Sequence, residues 1–114
     1  MNLDDMALHI HKTSTEKGFW DPMNRMDKQD HFIFYSKQLA MVHSEVTEVL
    51  EALRKSKGDI QVVEELADII IRVLDLYVGM AKHEAIDLTI SLDDILRRKI
   101  IFNESRDRLH GVAG

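Results

Sequence analysis

Cysteine is absent from the 114 residues. That excludes disulfides, thiolate zinc sites and cysteine nucleophiles together. Proline occurs once, at Pro22, and glycine only five times, so few positions force a helix to stop. No apolar run approaches the length of a bilayer span: Ile69-Ile70-Ile71, for example, ends at Arg72. A basic excess is also missing. Fifteen Lys and Arg stand against twenty Asp and Glu, a net charge of -5, which argues against binding a nucleic-acid backbone. Met1-Asn2-Leu3-Asp4-Asp5 carries acid where a secretory signal carries base. The expectation is a cytoplasmic protein with neither a membrane nor a nucleic acid as partner. With 45% hydrophobic and 31% charged residues, residues 1-114 suffice for one domain with an ordinary core.

What is present reads as nearly all α. A first helix is expected from Asn2, with Asp5 three residues on as a capping-box partner. Leu3, Met6, Ala7 and Ile10 then follow one helical stripe. Gly18 is the expected stop, and Phe19-Trp20-Asp21-Pro22 a loop whose two aromatics need a reason to be there. A second helix runs from about Gln29 to Ser56, with Leu39, Val42, Val46, Val49, Leu50 and Leu53 as its stripe. Gly58 marks the turn that follows, and Gly79 is a further candidate break.

The third helix is expected over Ile60 to Lys82. Apolar residues cover more than one of its faces, so it must be covered on nearly all sides, in part by another subunit. A last helix starts near Ser91, with Asp94 completing another box-like pair, and continues to about Ser105. Residues 107-114 read as a loose tail. The fold class is therefore an all-α, antiparallel bundle of about four helices, completed by homo-oligomerisation.

The informative feature is a quasi-repeat. Glu45-x-x-Glu48 lies twenty residues before Glu65-x-x-Asp68. Positions three apart on a helix are neighbours, with Cβ atoms ~5–6 Å apart. Each pair therefore aims one way, and the Gly58 turn lets the two pairs face each other. The acids border apolar stripes instead of lying opposite them. Four converging carboxylates repel one another and call for a cation. Oxygen ligands without Cys or paired His favour Mg²⁺, or Mn²⁺ as its substitute. A dimetal-oxygen bundle would need Glu-x-x-His, and Glu51 and Ile71 stand where those histidines belong.

These residues resemble a known family. Glu45-x-x-Glu48 with Glu65-x-x-Asp68 looks like the acidic signature of the all-α nucleoside triphosphate pyrophosphohydrolases. That superfamily comprises MazG, dimeric dUTPases, dCTP pyrophosphatases and phosphoribosyl-ATP pyrophosphatase. Lys17-Gly18-Phe19-Trp20 resembles the N-terminal loop of the MazG-like branch, and Glu65 to Leu76 its third-helix core. Lys99-x-x-x-Asn103-x-x-Arg106, then His110-Gly111, is similar to its C-terminal phosphate-contacting segment. The family often has Pro just after that Arg; here Asp107 follows.

The resemblance implies Mg²⁺-dependent hydrolysis of nucleoside triphosphates between the α and β phosphates, in nucleotide-pool house-cleaning. Glu45, Glu48, Glu65 and Asp68 would be the metal ligands, with Glu48 also the catalytic base. Lys99, Asn103 and Arg106 would grip phosphate. Trp20 and Phe19 are candidates for stacking on the base, and Arg72 and Asp75 for orienting the ligand carboxylates. His83 and Asp87 read as surface residues. A homodimer or dimer of dimers would bring Lys99 or Trp20 of one subunit near the acids of another. The alternatives are a dUTPase or phosphoribosyl-ATP pyrophosphatase of the same superfamily, and a non-catalytic helical interaction module.

Overall fold

A computed structural model describes residues 2–106; the expected tail, with His110 and Gly111, lies outside them. Helix α1 spans Leu3–Glu16, α2 His31–Arg54, α3 Asp59–Lys82 and α4 Leu92–Glu104. Two short 3-10 turns, Asp21–Arg25 and Lys28–Asp30, connect α1 to α2. The described residues contain no strand.

Local chemistry sets the helix ends. Asn2 accepts the Asp5 amide at 2.9 Å and donates its own amide to the Asp5 carboxylate at 3.3 Å, closing a capping box. Ser91 caps α4 by accepting the Asp94 amide at 3.1 Å. The two capped ends are tied together. Asp4 takes the Ser91 hydroxyl and the Asp93 amide, while Asp93 takes the Leu3 amide. Between α2 and α3 the chain reverses through Ser56 and Gly58, both at positive φ. A Cβ on Gly58 would meet nothing within 4 Å, so the backbone angle is what selects glycine there.

The helices α2 and α3 form an antiparallel hairpin, and α1 lies along the C-terminal part of α3. The core is confined to that end. Trp20, Met23, Phe34, Tyr35 and Leu76 make one buried cluster; Ala7, Leu74 and Val78 make the other. Gly79 is not a helix break but a buried residue inside α3. A Cβ there would lie 1.9 Å from the Trp20 indole, so its lack of a side chain makes room for the ring.

The other end is open. Val46, Leu50 and Leu53 on α2, with Val63, Leu66 and Ile70 on α3, are each about half exposed. Helix α4 buries no residue at all. The radius of gyration is 16.3 Å, against ~13 Å for a compact domain of similar length.

Candidate metal centre and adjoining cleft

Glu45 and Glu48 come from the middle of α2, and Glu65 and Asp68 from the facing stretch of α3. One carboxylate oxygen each of Glu45, Glu65 and Asp68 lies within 4.8 Å of the others. Magnesium takes oxygen ligands at about 2.1 Å and calcium at up to ~2.6 Å. Carboxylates this close can therefore converge on one cation after small rotamer changes. The donor set fits a hard divalent ion: oxygen only, with no thiolate and no histidine.

Glu48 joins the cluster through Glu45. The Arg72 Nε donates to Glu45 Oε1 at 2.7 Å, and that bond, more than any other influence, holds the Glu45 carboxyl below the usual range. The hydrogen bond with Glu45, followed by its negative charge, pushes Glu48 the other way. The pair is thus divided, with Glu45 the ionised partner and Glu48 the better proton acceptor.

Arg72 was expected to orient a ligand carboxylate, and it does so across the hairpin, on Glu45 of α2. Asp75 makes no hydrogen bond or ion pair with Arg72 among the described residues and serves a different purpose. Its Oδ1 accepts the His11 ring nitrogen at 2.8 Å and the Trp20 Nε1 at 3.0 Å, and its Oδ2 accepts the Ser14 hydroxyl at 2.7 Å. Asp75 thereby ties α1 and the aromatic loop to α3.

A cleft of about 770 Å³ opens from the acids toward this knot. Helix α1 contributes His9, Ile10, Thr13 and Ser14 to its walls, its C-cap Lys17 another side chain, and the loop Phe19 and Pro22. Phe34, Lys37, Gln38, Met41 and Glu45 come from α2, and Asp68, Ile71, Arg72 and Asp75 from α3. Its dimensions suit a drug-sized or nucleotide-sized ligand.

The remaining expected residues divide. Phe19 is 66% exposed and lines the cleft. Trp20 is only 6% exposed; it stacks on His83 at 5.9 Å and tilts against Phe34 at 5.2 Å. Its faces are occupied by protein, so stacking on a nucleobase is excluded in this arrangement. His83, expected at the surface, is half-buried for the same reason. Asp87 turns to its own neighbour Thr89. Lys99 and Asn103 lie on α4 and Arg106 two residues past its end, and none of the three lines the cleft of this chain. Arg106 packs over Phe102, 4.8 Å from the ring centre.

Sequence reasoning overlooked Lys37, Gln38, Met41 and the α1 wall. A signal for the α2 residues was present: Phe34, Gln38, Met41 and Glu45 follow 4, 3, 4 spacing and continue the acidic face toward the N-terminus. Comparisons with protein-family models, curated proteins and solved structures give no match.

Proposed function

We propose that the protein hydrolyses nucleoside triphosphates between the α and β phosphates, giving a monophosphate and pyrophosphate, with Mg²⁺ or Mn²⁺ as cofactor. The observation that carries this reading is the convergence of Glu45, Glu65 and Asp68 at one end of a nucleotide-sized cleft. The resemblance to MazG-like pyrophosphohydrolases rests on those same acids and supplies the reaction.

Glu45, Glu65 and Asp68, with Glu48 beside them, are the residues to hold the metal. Bound there, it supplies charge neutralisation at the phosphate oxygens and acidifies water. Glu48 takes the proton as a water oxygen bonds to the α phosphorus, and pyrophosphate leaves with the electrons of the broken P–O bond. The raised proton affinity of Glu48 suits that role. Arg72 keeps Glu45 ionised and fixed. Lys17 and Lys37, both exposed at the cleft wall and without an ion-pair partner among the described residues, supply positive charge for the phosphate chain.

The open end of the hairpin belongs against a second copy, in a homodimer or dimer of dimers. The apolar faces of α2, α3 and α4 are what such an interface buries. Among the described residues Arg98 and Lys99 on α4 make no ion pair, and neither do Glu48, Glu65 or Asp68. Opposite charges on two unsatisfied surfaces suit an arrangement in which α4 of one copy approaches the acids of the other. Lys99, Asn103 and Arg106 then reach phosphate across the interface.

The test is a panel of ribo- and deoxyribonucleoside triphosphates incubated with Mg²⁺, with products separated by anion exchange. Monophosphate plus pyrophosphate is expected, lost with chelator and in Glu48→Ala. Diphosphate plus orthophosphate would refute the bond assignment. No turnover would refute hydrolysis of common triphosphates and favour phosphoribosyl-ATP or a non-catalytic module.

A further inference from the structure

Asp68, Arg72 and Asp75 follow one another at i, i+4 and i+7 on α3, so they share one helical face. All three line the cleft. Arg72 therefore stands between the acids and the knot at the closed end. Its Nε holds a carboxylate of the acid centre while its side chain forms part of the cleft wall.

The hold on Glu45 is single. A guanidinium carries five N–H donors in a planar fork, and a carboxylate is often met by two of them side by side. Here Glu45 Oε1 takes the Nε donor alone, at 2.7 Å. The two terminal nitrogens make no hydrogen bond among the described residues. Asp75, the next acid along the face, is engaged by His11, Trp20 and Ser14 instead. The Arg72 side chain is 36% exposed, so the unused donors are partly withdrawn from water, where a charge acts more strongly on an anion. Two spaces border this side chain: the cleft of about 770 Å³, and a pocket of about 20 Å³ shared with Trp20, Gln38, Asp75 and Leu76. The small one has room for a single water, so a larger ligand meets the fork from the cleft. The chemistry of that ligand is narrow. A guanidinium only donates and keeps its charge at every working pH, and its parallel N–H groups match the paired oxygens of a carboxylate or a phosphate. Lys17 and Lys37 on the same walls favour a polyanion over a lone carboxylate.

Resting on the reading of the site as one for nucleotides, we infer that Arg72 is itself a phosphate-binding residue, holding Glu45 through Nε and the phosphate chain through its terminal nitrogens. One side chain then ties the position of the substrate to the position of an acid that holds the metal. A lysine cannot replace it, because an ammonium is a point charge without a fork and cannot serve both partners in that geometry. The phosphate grip is thereby begun within one chain, by a residue of α3, and does not wait for α4 of another copy.

The test uses inorganic pyrophosphate, which needs neither a base nor turnover. Its affinity is measured by titration calorimetry for wild type, Arg72→Lys and Arg72→Met, each at a Mg²⁺ concentration that saturates that protein. Saturation removes any effect that Arg72 has only through Glu45 and the metal. Arg72→Lys keeps the charge, so a loss there is not a loss of general attraction, and it carries the test if Arg72→Met fails to fold. Both variants should bind pyrophosphate roughly ten- to a hundredfold more weakly than wild type, the range for hydrogen bonds to a charged group. Affinity within about threefold of wild type in Arg72→Lys, or no binding of pyrophosphate by wild type, would overturn the inference. Cleavage of triphosphates by wild type, with pyrophosphate bound equally by all three proteins, refutes the phosphate grip of Arg72 alone. Binding of pyrophosphate that depends on Arg72, without cleavage of any triphosphate, refutes the reaction and leaves the grip standing.

Discussion

The two ends of the α2–α3 hairpin are built from the same kinds of residue and are finished differently. At the closed end α1, the aromatic loop and Gly79 enclose Trp20, and the polar atoms of His11, Ser14, Trp20 and Asp75 satisfy one another. At the open end Leu50, Val63, Leu66 and Ile70 are about half exposed, and the carboxylates converge with Arg72 as the cation paired to them among the described residues. The closed end resembles a completed domain core. The open end lacks two things: cover for its apolar faces and positive charge for its acids. The buried core thus lies at one end and the converging carboxylates at the other.

The comparison is broken most severely at the closed end. Trp20→Ala should cost about 3–5 kcal/mol in urea unfolding, the range for deleting a large buried aromatic. Asp75 and His83 lose a partner as well. A cost under about 1 kcal/mol would show that the closed end is not the core.

Leu50→Ser sharpens the contrast. Leu50 is 54% exposed, so in a monomer the change should stay within about 0.5 kcal/mol. If a second copy covers this face, light scattering will show the mass fall to that of a single chain. An unchanged mass of one chain in both proteins would remove the oligomer.

Adding charge to one end and removing it from the other gives smaller, opposed effects. Glu65→Gln relieves repulsion at the open end and should stabilise the protein in chelator by about 0.5 kcal/mol, roughly 2–4 °C in Tm. His83 at the closed end is held below its ordinary value by burial, then by His31 and His11. Its folded form prefers to be neutral, so protonation favours unfolding. Stability should fall as pH drops through the unfolded histidine value near 6.5. His83→Gln should flatten that part of a Tm-against-pH profile, and an unaltered profile would assign the loss to other groups.

Local features were legible in the sequence. The caps Asn2 and Ser91, the four helices and the turn at Gly58 all rest on neighbours a few residues apart. So did the i, i+3 acid pairs, because helical spacing alone decides which side chains share a face. What spacing cannot convey is the partner brought in from elsewhere in the chain. Trp20 looked free for a ligand because its acceptor, Asp75, lies 55 residues away. Gly79 looked like a break because the indole that fills its place is equally remote. Arg72 was expected to orient a ligand carboxylate, but spacing did not tell that it would be Glu45, 27 residues distant. Lys99 and Asn103 share a face of α4, while Arg106 falls past its end, and spacing alone does not tell which molecule that face meets.

The central claim is that the open end is a metal centre made by Glu45, Glu65 and Asp68. A Mn²⁺ titration followed by electron paramagnetic resonance tests it directly, since the free-ion signal falls as metal binds. Wild type should deplete that signal saturably and release the metal to excess Mg²⁺, whereas Glu65→Gln/Asp68→Asn should leave it as it is in buffer. Equal depletion by both proteins, or none by wild type, would contradict the account.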